Sequence, residues 1–248
     1  MIDCHTHVWD ASCRIVSTYY TPPAEAPLSR LLALMTVNQV RGAVLVQPSF
    51  LGTDNSYLIR CLQITPDDML RGVVVIDATA RERDLEAMDE VGVRGIRFNL
   101  LGGGALPDFS AGGWPAILRF MRKAQWNIEL AARGPQLPPL LDALAPARLP
   151  IVVAHFGFPD PALGVDCPGF RRLLAETERV IVKASAPYAL GGLDPIPLIE
   201  ALVAADVPLL WGSDFPFLQH EGQDYAALLE LADVLPDPEG EAEVLYGF

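Results

Sequence analysis

Ile2-Asp3-Cys4-His5-Thr6-His7-Val8 opens the chain with an apolar run in which two histidines stand two residues apart. Successive side chains on a strand alternate in direction, so His5 and His7 project to the same side. Seven further β-rich runs follow, at residues 42–47, 72–76, 95–100, 127–132, 151–155, 180–185 and 208–212. Segments of helical periodicity alternate with them, at 28–39, 55–63, 81–91, 114–125, 136–144, 169–178, 197–205 and 224–234. Strands alternating with helices predict an α/β fold with a parallel sheet. Eight evenly spaced strands suit a closed (β/α)₈ TIM barrel better than an open sheet. The 248 residues agree with the usual size of about 250 for one such barrel. No linker or repeat divides the chain, so a single domain over 1–248 is expected.

Hydrophobic residues make up 51% of the chain, which fits strands buried on both faces of a sheet. No run approaches the roughly 18–20 uncharged apolar residues needed to span a bilayer. The first strand begins at Ile2, which leaves no room for a signal peptide; the expectation is a cytoplasmic protein without a membrane partner. Cys4, Cys13, Cys61 and Cys167 are scattered and read as incidental thiols of a reducing compartment. The net charge of −13 counts against a nucleic-acid partner, whose phosphates demand a basic surface. It also provides no long-range attraction for an anionic substrate, which local arginines must then hold. A homo-oligomer is compatible with the sequence.

In a barrel the C-terminal ends of the strands face the active-site mouth. Those positions carry His5, His7, Gln47, Arg97, Asn99, Arg133, His155, Lys183 or Ser185, and Asp214. His5 and His7 suit a divalent metal or a polarised carbonyl oxygen; the alternative is two histidines bonded to nearby backbone. His155 ends the run Ile151-Val152-Val153-Ala154 and can polarise a carbonyl or shuttle a proton, unless it is a satisfied core histidine. Asp214 follows the last strand, which neighbours the first in a closed barrel. It can therefore approach His5 and His7, although a helix-capping role is also open. Arg97 is placed to clamp a carboxylate through its bidentate fork, or to form an ion pair across the barrel. Tyr188, Arg133 and His220 are weaker candidates. Gly102-Gly103-Gly104 lacks the lysine and spacing of a nucleotide loop and reads as a flexible connection.

These residues fall in stretches that resemble the amidohydrolase 2 family, within it the 2-pyrone-4,6-dicarboxylate lactonase-like branch. The stretches are His5-Thr6-His7, Val46-Gln47-Pro48-Ser49-Phe50-Leu51-Gly52-Thr53-Asp54-Asn55 and Gly92-Val93-Arg94-Gly95-Ile96-Arg97-Phe98-Asn99-Leu100. His155-Phe156-Gly157, Val182-Lys183-Ala184-Ser185 and Trp211-Gly212-Ser213-Asp214-Phe215-Pro216 continue the match in order.

The resemblance implies a distorted barrel that hydrolyses a lactone, of the carboxylated pyrone or sugar type, without a required metal. It makes Asp214 the base that activates water. His5, His7 and His155 polarise the carbonyl, Arg97 holds a substrate carboxylate, and Gln47, Ser49, Asn99 and Tyr188 line the substrate. The alternatives are a metal-dependent hydrolase or decarboxylase of the same superfamily, and a degenerate barrel that only binds a small molecule. Relatives that use metal carry a histidine on the fifth strand, where this chain has Glu129-Leu130-Ala131-Ala132-Arg133. A divalent ion such as zinc would find His5, His7 and Asp214, an incomplete set.

The chain departs from the lactonase pattern at Phe158, where an arginine is typical, and at Phe217, where a histidine is. The Tyr188-Ala189-Leu190 stretch supplies no arginine either. Loss of cationic positions points to a less charged lactone than a dicarboxylate. The residues after Pro236 are fewer than in the relatives' closing helix, so a weakened end, or one dependent on a partner subunit, is expected.

Overall fold

Eight parallel strands form one sheet in sequence order: β1 (Ile2–Thr6), β2 (Gly42–Val46), β3 (Leu70–Val74), β4 (Val93–Asn99), β5 (Asn127–Ala131), β6 (Ile151–Val153), β7 (Val180–Ser185) and β8 (Leu209–Gly212). The computed structural model describes residues 1–16 and 20–248. Helices α1 (Leu28–Val37), α2 (Ser56–Ile64), α3 (Glu82–Glu90), α4 (Trp114–Ala124), α5 (Leu137–Leu144), α6 (Pro168–Leu174) and α7 (Pro195–Ala204) fill the successive crossovers. After β8 come α8 (Tyr225–Leu229) and α9 (Pro238–Tyr246). The expected (β/α)₈ barrel is present. Among the described residues, no helix is long and apolar enough to cross a membrane.

The barrel is distorted at one seam. β1 and β8 form no ladder; instead an isolated bridge pairs Thr6 with Phe215, where Asp214 N–H bonds the His5 carbonyl and His7 N–H the Phe215 carbonyl, each 2.8 Å. Gly212 sits so close that a side chain there would meet His5 Cβ at 2.7 Å. Below, the buried Asp3 carboxylate bridges the gap. It accepts from Ser213 N–H at 2.9 Å and from the Tyr225 hydroxyl at 2.8 Å.

A bulge in β1 places an extra residue between the pairs Asp3–Ala43 and Thr6–Leu45. Bulges re-aim side chains beside active sites. Here Ile2 and Cys4 join the barrel-interior cluster with Val44, Val46, Val73, Val152 and Leu210. Past the bulge, His5 and His7 turn into the same interior.

Several ends differ from the expected ranges, each for a local reason. β3 stops at Val74, not residue 76, because the Asn55 side chain takes both backbone groups of Val75, at 3.0 and 2.8 Å. β6 stops at Val153, two residues early, because His155 adopts a left-handed backbone with φ 52°. The expected helix over 224–234 tightens into a 3₁₀ turn at Glu230–Val234 where the Trp211 indole N–H takes the Leu228 carbonyl.

The chain's end is firmly docked, contrary to the expected weakness. Arg71 donates to the carbonyls of Tyr246 and Gly247, and its guanidinium lies 4.9 Å from the Phe248 ring centroid. Arg41 pairs with Glu239 and Glu243 of α9. These contacts drive the Tyr246 ring, fully buried, into the interior cluster of the barrel.

Candidate active site

Three imidazoles surround one carboxylate oxygen. Asp214 Oδ1 lies 3.6 Å from His5 Nε2, 3.7 Å from His7 Nε2 and 3.8 Å from His155 Nε2. The seam explains the approach, since Asp214 N–H is bonded to the His5 carbonyl. Asp214 and His155 both adopt left-handed φ, 64° and 52°. For non-glycine residues this conformation costs of order 1–3 kcal/mol and persists where surrounding structure enforces it, typically at functional sites. Together the two bends aim both side chains at the centre.

Each group has a second contact that orients it. The Tyr188 hydroxyl donates to Asp214 Oδ2 at 2.9 Å. His7 Nδ1–H donates to the Val46 carbonyl at 2.7 Å. His155 Nδ1 lies 2.9 Å from Ser185 Oγ. Beneath His5, Lys183 on β7 pairs with Glu129 on β5, and its Nζ lies 3.3 Å from His5 Nδ1. Arg97 on β4 donates from Nη1 to the Gln47 carbonyl at 3.0 Å, and its Nε is 3.6 Å from Glu129 Oε1.

Burial governs the charges. It pushes Asp214 up to about 7, against the Tyr188 hydrogen bond and the Arg97 charge, which pull it down. Burial also lowers His7 to about 3, with Arg97 adding to the effect. His5 and His155 are driven well below their usual value by burial, with the nearby Lys183 and Arg97 charges adding to it. At neutral pH the three imidazoles are therefore uncharged, while Asp214 titrates there. A carboxyl poised near the working pH suits general-base chemistry.

The sequence-predicted residues divide. Asp214, His5, His7, His155 and Tyr188 come together. Arg97 stands one layer deeper, against Glu129. Gln47 is buried, with its amide nitrogen donating to the Asp54 carbonyl at 2.8 Å, so it braces the loop that follows β2. The Asn99 side chain accepts from Leu101 N–H at 3.1 Å and braces the β4 loop. Ser49 is itself half-buried and begins the turn Ser49–Leu51, whose Phe50 and Leu51 are buried. Arg133 and His220 are exposed, the latter with its ring 5.0 Å from Tyr188. Phe158 packs 5.1 Å from His155 and Phe217 6.2 Å from Tyr188, which gives the site aromatic walls.

Glu129 and Asp3 escaped the sequence reading. The signal was present, because each is a carboxylate inside an apolar strand, where an unpaired charge is costly.

The donor set fits a single divalent ion. His5, His155 and Asp214 offer ligand atoms within 4.8 Å of one another, and His5 Nε2 is buried with no hydrogen-bond partner among the described residues. Three protein ligands with an open position is the usual catalytic zinc arrangement. His155 thus stands in the set where His7 was expected, because the left-handed bend brings its ring to within 4.6 Å of His5. Glu129 is engaged by Lys183 and does not complete it.

Comparison with known proteins agrees with this architecture. The family described as Amidohydrolase (Amidohydro_2) matches residues 2–247. A 4-sulfomuconolactone hydrolase of Rhizobium radiobacter is 32% identical over 86% of this chain and 75% of its own length. A 2-pyrone-4,6-dicarboxylate hydrolase of Comamonas testosteroni is 27% identical over 87% and 76%. A solved structure described as a probable 2-pyrone-4,6-dicarboxylic acid hydrolase of Acinetobacter baumannii, with citric acid bound, superposes with a TM-score of 0.90. It is 28% identical and covers 100% of this chain and 99% of its own. With residues 2–247 matched by the family and a relative 32% identical over 86% of its length, the chain belongs to the amidohydrolase family.

Proposed function

We propose that this protein is a lactone hydrolase in which Asp214 activates water and a neutral imidazole N–H polarises the lactone carbonyl. The convergence of three imidazoles on Asp214 Oδ1 carries this reading. Water attacks the acyl carbon as Asp214 takes its proton. The ring C–O bond then breaks as protonated Asp214 returns its proton to the departing oxygen, and the new carboxylic acid loses its proton to solvent, leaving an open-chain carboxylate. The curated relatives named as lactone hydrolases support the reaction class.

Tyr188 holds Asp214 by its second oxygen and leaves Oδ1 for the water. Arg97 supplies local positive charge for a substrate carboxylate, which the net charge of −13 would otherwise repel. Phe158 and Phe217 favour a substrate with one carboxylate over one with two, since a second buried carboxylate without a cation costs several kcal/mol. A divalent ion, when held by His5, His155 and Asp214, would polarise the carbonyl and lower the pKa of bound water; the base and donors already present do not require it.

Chelator-treated protein should open a monocarboxylated lactone, followed by loss of ring absorbance. Its kcat/KM should exceed that for 2-pyrone-4,6-dicarboxylate by at least about a hundredfold, since several kcal/mol for the second buried carboxylate convert at tenfold per ~1.4 kcal/mol. No turnover of any carboxylated or sugar lactone would remove the reading. Turnover restored only by added zinc would replace it with a metal-dependent hydrolase.

A further inference from the structure

The position of Lys183 beneath His5 bears on the identity of the proton that His5 presents to the site. An ammonium has three N–H donors and no acceptor. With Nζ 3.3 Å from His5 Nδ1, the hydrogen bond forms only if Nδ1 carries the lone pair. A neutral imidazole then holds its proton on Nε2, the atom that faces Asp214 Oδ1 at 3.6 Å.

His7 has the opposite arrangement. Its Nδ1 faces a carbonyl, which accepts only, so the proton is on Nδ1 and the Nε2 lone pair faces the site. A competing partner for His5 exists as well. Glu129 Oε1 lies 3.5 Å from His5 Nδ1 and would favour the other tautomer. Lys183 makes the shorter contact, and it also engages the far oxygen of the same carboxylate.

We propose that Lys183 is a positioning residue that fixes His5 in its Nε2–H tautomer, making His5 a hydrogen-bond donor to the lactone carbonyl and weakening it as a metal ligand. The inference rests on the lactonase reading for its catalytic meaning, but the tautomer is a property of the resting protein. Lys183 is fully buried and is held from below by the Tyr246 ring, 5.9 Å from Nζ. The closing helix α9 thereby supports the catalytic tautomer from the far end of the barrel.

The same three groups also define the alternative. Without Lys183, His5 Nδ1–H donates to Glu129, the Nε2 lone pair turns inward, and His5, His155 and Asp214 become a stronger ligand set. Partners that set the tautomer of a ligating histidine tune metal affinity by about 10–100-fold.

Nitrogen-15 NMR of the full-length protein, labelled at histidine and assigned by a His5→Gln variant, should show His5 protonated at Nε2 and His7 at Nδ1. Lys183→Met should move the His5 proton to Nδ1 and raise zinc affinity at least tenfold in competition with a chelating dye. Loss of one buried charge could strengthen zinc binding by itself or impair folding. The doubly substituted Lys183→Met, Glu129→Leu protein removes both charges together and controls for each effect. Its zinc affinity should still exceed that of the unaltered protein.

An Nδ1–H signal for His5 in the unaltered protein would overturn the proposal. So would zinc affinity unchanged in both variants. Neither result depends on turnover, so lactonase activity could fail while the tautomer assignment stands, and the reverse.

Discussion

Asp214→Asn is expected to lower turnover of any lactone substrate at least about 100-fold, the usual scale for a lost acid–base group, without unfolding the protein. The asparagine keeps the shape and can still accept from Tyr188, which donates to Asp214 Oδ2 at 2.9 Å, but it cannot take a proton from water. Stability should hold or rise, as the sign of the linkage shows. Burial raises the Asp214 carboxyl from 3.8 to about 7, so the folded state binds the proton more tightly than the unfolded chain. The resulting stabilisation is fully present below about pH 4 and is lost as the pH rises through about 7. At and above neutrality the ionised carboxylate therefore burdens the fold, and the amide removes that burden. Steady-state kinetics and a urea unfolding curve on the same variant check both halves; turnover within threefold of the unaltered protein would dismiss Asp214 as the base.

Tyr246→Ala should have the largest effect on stability, a loss of about 3–5 kcal/mol in line with other buried aromatic-to-alanine changes. The ring is fully buried in the barrel interior. Its removal leaves a void beneath Lys183 and frees α9 from the cluster that holds it. Tyr246→Phe is expected to be neutral or stabilising. Among the described residues the hydroxyl is buried without a hydrogen-bond partner, and such a group costs roughly 1–3 kcal/mol. Urea midpoints that fall equally in both variants would show that the hydroxyl, not the ring, holds the helix.

The fold was legible because eight apolar runs and their spacing survive any local irregularity. The site was legible where strand ends carry polar residues: His5 and His7 follow from alternation, Asp214 from the neighbourhood of the first and last strands, and His155 from the apolar run that it ends. What escaped depends on contacts distant in sequence. Glu129 acquires its meaning from Lys183, 54 residues later. Asp3 acquires its own from Ser213 and Tyr225, across the seam. Gln47 and Asn99 look like substrate contacts from their strand-end positions, yet their side chains brace adjacent loops. The left-handed bends at His155 and Asp214 are imposed by packing, since neither residue is a glycine that would advertise them. The docked chain end was misjudged because its anchors, Arg41 and Arg71, lie on the opposite side of the sequence.

The pH dependence of kcat/KM for a hydrolysed lactone tests the central claim most directly. If ionised Asp214 is the base, the rate should rise with pH, bend at about 7 and level off above it, matching the raised carboxyl. Tyr188→Phe removes a hydrogen bond that favours the ionised form and should shift that bend upward. A profile flat through neutrality, or a bend unmoved by Tyr188→Phe, would contradict the account.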